Sequence, residues 1–286
     1  LSAAEQTADD RLSVEVVPIK TTGDRIKDRP LAEEGGKGLF VKEIETALLE
    51  NQIDLAVHSM KDVPWRATDG LEIAAYLPRA DVREVLITAT GATLADLPSG
   101  GTVGTSSLRR QAQIMALRGD LRVEPIRGNV ETRLRKVRDG DADATILALA
   151  GLTRLGMDVS GHETLSVEML LPAVGQGAIG IQITAANASL HDLLKPINHM
   201  DTSICVEAER AYLEILDGSC HSPIAGLGQL GGNGEFHFAG RIMTPDGKER
   251  HEAERRGPLS EARALAISAA AEVRGAASAE LLASFN

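Results

Sequence analysis

Apolar and polar positions alternate from Leu12 through Val14 and Val16 to Pro18, which predicts a strand stopped by proline. Gly35-Gly36-Lys37-Gly38 interrupts that pattern as a flexible loop. Phe40, Ile44, Ala47 and Leu48 then recur at helical spacing over residues 39–51. A short apolar run over 53–58 reads as a buried strand, and Ser59-Met60-Lys61-Asp62-Val63-Pro64 forms the loop at its end. Strand, helix and strand in this order predict an α/β domain with functional residues at strand ends. The pattern restarts beyond a loop over 89–101. It predicts a strand at Thr102-Val103-Gly104, a helix opened by Thr105-Ser106-Ser107 and running to Leu117, a strand over 123–126, a helix over 130–139 and a buried strand over 144–149. Two successive α/β units of similar size predict two lobes with a cleft between them. Past Thr202 the texture changes to a helix over 204–216, the loop Asp217-Gly218-Ser219-Cys220-His221-Ser222-Pro223, a glycine-rich turn at 231–234, alternation over 235–243 and an Ala-rich helix from about Glu261. This last stretch predicts a small α+β domain.

Composition narrows the function classes. A chain of 286 residues exceeds one comfortable core, so two or three domains are expected. Aromatic residues make up only 2%, so the core is built from aliphatic side chains and base stacking has little to work with. A formal charge of -11 opposes binding to nucleic acid or to an acidic membrane. No apolar run approaches the ~20 residues that span a bilayer. Without a secretory signal at the N-terminus, Cys205 and Cys220 are expected as free thiols of a cytoplasmic protein, with Cys205 packed as a small hydrophobe. The start at Leu1 suggests a chain that begins part-way into a natural sequence.

The basic residues are concentrated. Nine of them, from Arg109 to Arg138, face only Asp120, Glu124 and Glu131 between Gly104 and Arg138, which gives that stretch a charge of about +6 in an acidic protein. Thr105, Ser106 and Ser107 sit where a helix begins, so hydroxyls and free backbone N–H groups are available to an anion. Arg109 and Arg110 follow in the first turn, against the helix dipole, which points to a polyanionic ligand. Arg127 and Arg133 join them as candidate anion ligands. Arg118, Arg122, Arg135, Lys136 and Arg138 read as solvated helix faces. Gly35-Gly36-Lys37-Gly38 fails as a phosphate loop, because Lys37 is followed by Gly rather than Ser or Thr, and reads as a lid bearing one cation. In His58-Ser59-Met60-Lys61-Asp62, His58 has an ordinary reading as a hydrogen-bonded core residue and Lys61 as a lysine paired to its neighbour. Asp62 is the strongest candidate, as a carboxylate set among cations. Cys220, in a Gly-Ser-Cys loop, is open to chemistry. No metal site is expected.

Taken together, Gly35-Gly36-Lys37-Gly38-Leu39-Phe40, Val57-His58-Ser59-Met60-Lys61-Asp62-Val63-Pro64, Gly104-Thr105-Ser106-Ser107-Leu108-Arg109-Arg110, Arg127-Gly128-Asn129-Val130 through Thr132-Arg133-Leu134, Leu171-Pro172-Ala173-Val174-Gly175-Gln176-Gly177-Ala178 and the Cys220 loop resemble the porphobilinogen deaminase family over essentially the whole chain. The resemblance implies two α/β lobes like those of periplasmic binding proteins plus a small α+β C-terminal domain. Residues 1–77 and 178–197 would form the first lobe, lacking its opening strand and the start of its helix. Residues 83–171 would form the second lobe with the anion-binding arginines, and residues 200–286 the cofactor-attachment domain.

The same resemblance implies a transferase of tetrapyrrole (haem) biosynthesis. It condenses four porphobilinogens head to tail, releases ammonia at each step and frees hydroxymethylbilane by hydrolysis. The cofactor would be a dipyrromethane held as a thioether by Cys220. Asp62 would stabilise the cationic azafulvene and protonated pyrrole. Lys61, Asp62, Ser59, Thr105, Ser107, Arg109, Arg110 and Gln176 would hold the cofactor, and Arg127, Arg133, Lys37 and Asp24 the substrate. The partners implied are a small pyrrole and the next pathway enzyme, with a monomeric, cytoplasmic protein binding neither nucleic acid nor membrane. Three departures stand out: a family Arg-x-Ser loop would lie before Leu1, Val82 stands where proline is usual, and Ser219 where glycine is common. Two rivals keep some of the features. A non-catalytic anion-binding protein explains the basic cluster but leaves the Cys220 loop without a purpose. A thiol-dependent acyl transferase predicts no stable adduct on Cys220.

Overall fold

The computed structural model describes residues 13–25, 38, 41–219 and 222–285, with the backbone alone at 24 and 25. The described helices are α1 (Thr22–Arg25), α2 (Lys42–Leu49), α3 (Leu108–Leu117), α4 (Val130–Arg138), α5 (Leu149–Arg154), α6 (Ala188–Leu194), α7 (Met200–Leu216), α8 (Ala262–Ala276) and α9 (Ala279–Ala283). The strands are β1 (Leu55–Ser59), β2 (Leu71–Tyr76), β3 (Glu84–Thr88), β4 (Thr102–Gly104), β5 (Arg122–Glu124), β6 (Ala144–Ala148), β7 (Glu163–Leu165), β8 (Ile179–Thr184), β9 (Ile224–Leu230), β10 (Glu235–Met243) and β11 (Arg250–Pro258). The class is mixed α/β with a C-terminal sheet-and-helix domain.

The chain divides into two compact units, one of residues 1–78 and 178–203, the other of 79–177 and 204–286. In the first, β8 lies between β1 and β2 and pairs antiparallel with both. Burial alternates along β1, with Ala56 and His58 inside and Val57 exposed. That pleat places His58 on the covered face. Leu48, Ala56 and Leu71 form one small core and Ala75, Ile181, Ile183 and Leu194 another. Gly180 is opposite His58, and a Cβ there would lie 2.2 Å from Met60 Sδ, so any larger residue would have to displace the buried Met60 side chain that the turn after β1 lays on β8. The strand expected over 12–18 does not form in its described part: Ser13–Pro18 is irregular and exposed, because alternation alone supplies no partner strand.

The second unit carries a five-stranded sheet in the order β5-β4-β6-β3-β7, parallel at β4·β5 and β4·β6 and antiparallel at β3·β6 and β3·β7. Its core joins Leu86, Val103, Ile114, Ile146 and Leu165. The C-terminal residues form the antiparallel sheet β11-β10-β9, against which α7 and α8 bury Tyr212, Phe236, Phe238, Ala266, Ala269, Ala270 and Val273. The run of alanines in α8 permits this close approach to the sheet. Cys205 belongs to the same core, as expected of a small hydrophobe.

Candidate functional site

The residues with chemistry fall into two groups, one in each unit. In the first unit, Ser59 closes β1 and a single 3-10 turn, Met60–Asp62, presents Lys61 and Asp62. The turn is held by Met60 N–H donating to Ala178 O (3.1 Å) and Val63 N–H to Met60 O (3.3 Å). Asp62 is exposed on one side, yet the bulk of protein around it pushes its carboxyl above the ordinary carboxylate range, against the pull of Lys61 and then of His58. A carboxylate with a raised proton affinity is suited both to facing positive charge and to accepting a proton.

Behind Asp62, His58 is buried at 5% exposure and its Nε2 lies 2.9 Å from Gln182 Oε1. Gln182 Nε2 donates in turn to Glu45 Oε1 at 3.0 Å, and Thr68 Oγ1 donates to Glu45 Oε2 at 2.8 Å. Burial pulls the His58 pKa down, which outweighs the Gln182 hydrogen bond and the charges of Glu45 and Asp62.

The second group is organised by α3 and α4. Ser107 caps α3, its Oγ accepting from Arg110 N–H at 3.4 Å, while Thr105 Oγ1 accepts from Ser107 N–H at 3.2 Å. Asn129 caps α4 by accepting from Thr132 N–H at 2.9 Å. Gly128 sits at φ +109, where a Cβ would meet Thr132 at 2.6 Å, so the loop carrying Arg127 requires glycine. Arg109 and Arg110 were expected as anion ligands. They are buried, and both point to Glu84, with Arg109 Nη2 2.8 Å and Arg110 Nη2 2.6 Å from Glu84 Oε1. Arg109 Nη1 also donates to Leu171 O at 2.9 Å. Two guanidiniums on one carboxylate leave one positive charge in surplus.

Arg127 and Arg133 are half-buried and have no ion pair among the described residues. Arg133 Nε donates to Gly128 O at 2.9 Å. Burial, followed by repulsion from Arg110 and Arg127, holds the Arg133 pKa below its ordinary value. Repulsion of this kind is relieved by a bound polyanion. Arg138, read as solvated, is exposed and reaches only Asp139 at 3.7 Å.

Gln176, expected to hold the cofactor, donates from Nε2 to Val82 O at 2.6 Å, and its buried Oε1 has no hydrogen-bond partner among the described residues. Its NH2 carries a second N–H and its oxygen can accept, so the side chain can offer a bound group either a donor or an acceptor. Lys37 and Cys220 lie outside the described residues, as does the side chain of Asp24. Sequence reasoning missed Glu84, since a charged residue at the start of an apolar strand reads as exposed, and its two arginine partners are 25 and 26 positions away. It also missed Gln182 and Glu45, whose link to His58 is visible only in three dimensions. Among the described residues no group of three His, Cys, Asp or Glu could hold a metal ion, and no helix is long and apolar enough to cross a membrane.

A dipyrromethane bearing acetate and propionate groups can be tested against this donor set. Within the second unit, the guanidiniums of Arg127 and Arg133 suit carboxylates and the buried Gln176 oxygen suits an N–H donor. Within the first unit, taken by itself, the Asp62 carboxyl also suits an N–H donor. The residues fit.

Known proteins bear on the same question. The family model described as "Porphobilinogen deaminase, dipyromethane cofactor binding domain" matches residues 2–192, and that for the "Porphobilinogen deaminase, C-terminal domain" matches residues 203–275. A porphobilinogen deaminase of Paracoccus denitrificans is 51% identical over 93% of this chain and 84% of its own length. One from Nitrobacter hamburgensis is 49% identical over 96% of this chain and 86% of its own length. The chloroplastic enzyme of Oryza sativa subsp. japonica is 49% identical over 90% and 72%. A periplasmic binding protein from Brucella ovis covers 62% of this chain and 53% of its own at 17% identity and a TM-score of 0.35, too slight a likeness to argue shared fold. With about half of the aligned positions identical to those relatives and both domain models matched in order, the chain belongs to the porphobilinogen deaminase family.

Proposed function

We propose that this chain joins four porphobilinogen molecules head to tail into hydroxymethylbilane, releasing ammonia, with Asp62 as the catalytic carboxylate and Cys220 as the anchor of the cofactor. The family is a family of transferases in tetrapyrrole biosynthesis, and its cofactor is a dipyrromethane. One observation carries the reading: the cofactor-domain match over residues 2–192 spans Asp62 and every arginine of the basic cluster. The anion-binding and acyl-transferase alternatives leave that match unexplained.

The bound dipyrromethane would supply the nucleophilic α-carbon and persist from one product to the next. The chain's own residues bind, orient and stabilise. Arg127 and Arg133 hold pyrrole carboxylates by charge-assisted hydrogen bonds, each worth about 1.5–3 kcal/mol. The Arg109–Arg110–Glu84 cluster adds its surplus positive charge, with Thr105 and Ser107 at the start of α3. Ser59 and Lys61 hold carboxylates beside β1. Asp62 stabilises positive charge on the pyrrole nitrogens and accepts a proton there. Lys37 and Asp24 complete the substrate set. Residues 1–77 with 178–197, 83–171 and 200–286 act as first lobe, second lobe and attachment domain. We place the working protein in the cytoplasm as a monomer that hands its product to the next enzyme of the pathway.

Intact-protein mass spectrometry tests this directly. The expected excess is the mass of two linked pyrroles, mapping after digestion to the peptide that contains Cys220. A chain that stays unmodified after incubation with porphobilinogen would overturn the reading.

A further inference from the structure

Gln113 projects from α3 one turn beyond Arg109 and is buried at 2% exposure, with all four of its hydrogen-bonding positions filled. Leu171 N–H donates to its Oε1 at 2.8 Å, and Arg241 Nη1 donates to the same oxygen at 2.5 Å. Both partners can only donate, so the amide has one orientation, with its NH2 toward Leu171 O (3.1 Å) and Arg109 O (3.2 Å). Leu171 O is shared, because Arg109 Nη1 also donates to it at 2.9 Å. Arg109 Nη2 reaches Glu84 Oε1 at 2.8 Å, which leaves the Nε–H and one Nη2–H of Arg109 without a partner among the described residues. Arg241 comes from β10 of the C-terminal sheet. Its Nη2 donates to Glu168 O at 3.2 Å and its Nε to Glu252 of β11. A separate contact joins the same hairpin to α3. In the turn between β10 and β11, Gly247 lies at φ +73, and a Cβ there would be 2.6 Å from both Ala112 O and Ala116 N. The tip of the hairpin therefore rests on the backbone of the helix that carries Arg109.

We propose that Arg241 and Gln113 are positioning residues for Arg109: the C-terminal hairpin fixes the Gln113 amide, the amide fixes the Leu171 carbonyl, and that carbonyl aims the Arg109 guanidinium at a carboxylate of the bound pyrrole chain. The proposal rests on the reading of Arg109 as a cofactor ligand. A guanidinium is a planar fork, so two firm anchors set the direction of the N–H groups left over. Glu84 supplies one of them. Its Oε1 is shared with Arg110, and the second contact of Arg109 to that carboxylate, Nη1 to Oε2, is long at 3.4 Å. The Leu171 carbonyl is the other anchor, and Gln113 grips Leu171 at both its N–H and its oxygen. Without the Arg241 donor, the Gln113 oxygen keeps a single partner and the hairpin loses its side-chain hold on α3.

The test is a double-variant cycle on the full chain, read as turnover of porphobilinogen. R241M removes the donor to Gln113, whereas E252Q weakens the ion pair of the same arginine and leaves that donor in place. R241M should slow turnover ~10-fold through the misplaced fork, with E252Q staying within about two-fold of the unmutated protein. R109K keeps a charge opposite Glu84 and loses the fork, so it should be slow by itself, and adding R241M to it should cost no more than about two-fold further. In 15N-arginine-labelled protein, the Arg109 Nε–H signal, assigned by its loss in R109K, should move in R241M and hold its place in E252Q. Where R241M fails to fold by circular dichroism, R241K, with a single point donor in place of a fork, takes its place in the cycle with the same expectations. An R241M protein as fast as the unmutated one, or an E252Q protein as slow as R241M, would overturn the proposal. So would a slow R109K protein in which R241M still exacts its full ~10-fold, and that result leaves the reading of Arg109 standing. Normal turnover by R109K would instead remove Arg109 from the site, and the proposal with it.

Discussion

Asp62 and Glu84 are both carboxylates set among cations, and their surroundings drive them in opposite directions. At Asp62 desolvation prevails over Lys61 and His58, and the proton affinity rises. At Glu84 burial would also raise it, but Arg109 and then Arg110 outweigh that and hold the carboxyl far below the ordinary range. The first is poised for chemistry and the second for stability. For Asp62→Asn, which keeps shape and loses charge, turnover of porphobilinogen should fall at least ~100-fold with the fold intact by circular dichroism. Turnover near that of the unmutated protein would make Asp62 a structural partner of Lys61. For Glu84 the sign is fixed by linkage. Its folded pKa lies below its unfolded one, so the stability it contributes is complete above about pH 5 and is lost as the pH falls below about 4 toward the depressed value. Glu84→Gln should cost about 3–5 kcal/mol at neutral pH in urea unfolding, by stranding two buried guanidiniums, and should flatten the acid limb of the stability curve. A cost below ~1 kcal/mol would mean that water reaches the arginines freely.

At the scale of elements, legibility followed exposure. Residues 235–243 alternate because one face of β10 is more open than the other, and 102–104 stand out between glycines; both strands lie where expected. Strand β3 was not legible. All five of its residues are buried, Glu84 among them, so it has no alternation to read and one charge that points the wrong way. Strand β8, inside its sheet, was hidden for the same reason. The start of the helix after Thr105, Ser106 and Ser107 was legible in those hydroxyls, which is why the arginines behind it could be singled out, whereas the Asn129 cap shows only in the structure. Their burial against Glu84, and the direction of the Gln176 amide, depend on distant backbone and were not. The start of α4 permits a controlled test. Gly128→Ala forces a left-handed φ on alanine and drives its Cβ into Thr132, while Gly140→Ala just past the end of the same helix, at φ +83, meets nothing within 4 Å. Both should lose about 1–3 kcal/mol from backbone strain. Only Gly128→Ala also shifts the carbonyl that Arg133 Nε grips, so its turnover should drop at least ~10-fold further than that of Gly140→Ala. Equal losses in the two would mean that Arg133 does not hold substrate.

At the scale of the whole molecule, each unit is assembled from two separate stretches, so the chain passes between units after Pro78, Gly177 and Ser203. Leu77 N–H donates to Ile179 O at 3.0 Å within the first unit, and Ala80 N–H to Gly177 O at 3.1 Å within the second. Just inside the second unit, Glu209 of α7 gathers three distant segments. Its fully buried carboxylate accepts from Arg79 Nη1 (2.5 Å) and Nη2 (3.1 Å), from Gly175 N–H (2.7 Å) and from Gly228 N–H (2.8 Å). Arg79 Nε adds a bond to Gln176 O at 2.9 Å, so the same arginine also fixes the loop before the second passage. An acceptor with four donors cannot be replaced by an amide. In Glu209→Gln one oxygen becomes an NH2 facing other donors, and the Arg79 charge is left buried without its partner. The expected cost is about 3–5 kcal/mol, seen as a thermal midpoint lower by roughly 10 °C. The double variant Arg79→Met/Glu209→Gln should recover part of that loss, because it removes the stranded charge along with its partner. If the single variant melts within ~2 °C of the unmutated protein, the four hydrogen bonds are bystanders, and the 79–177 and 204–286 stretches of the second unit are joined by other contacts, the core of Leu171, Ala225 and Leu227 among them.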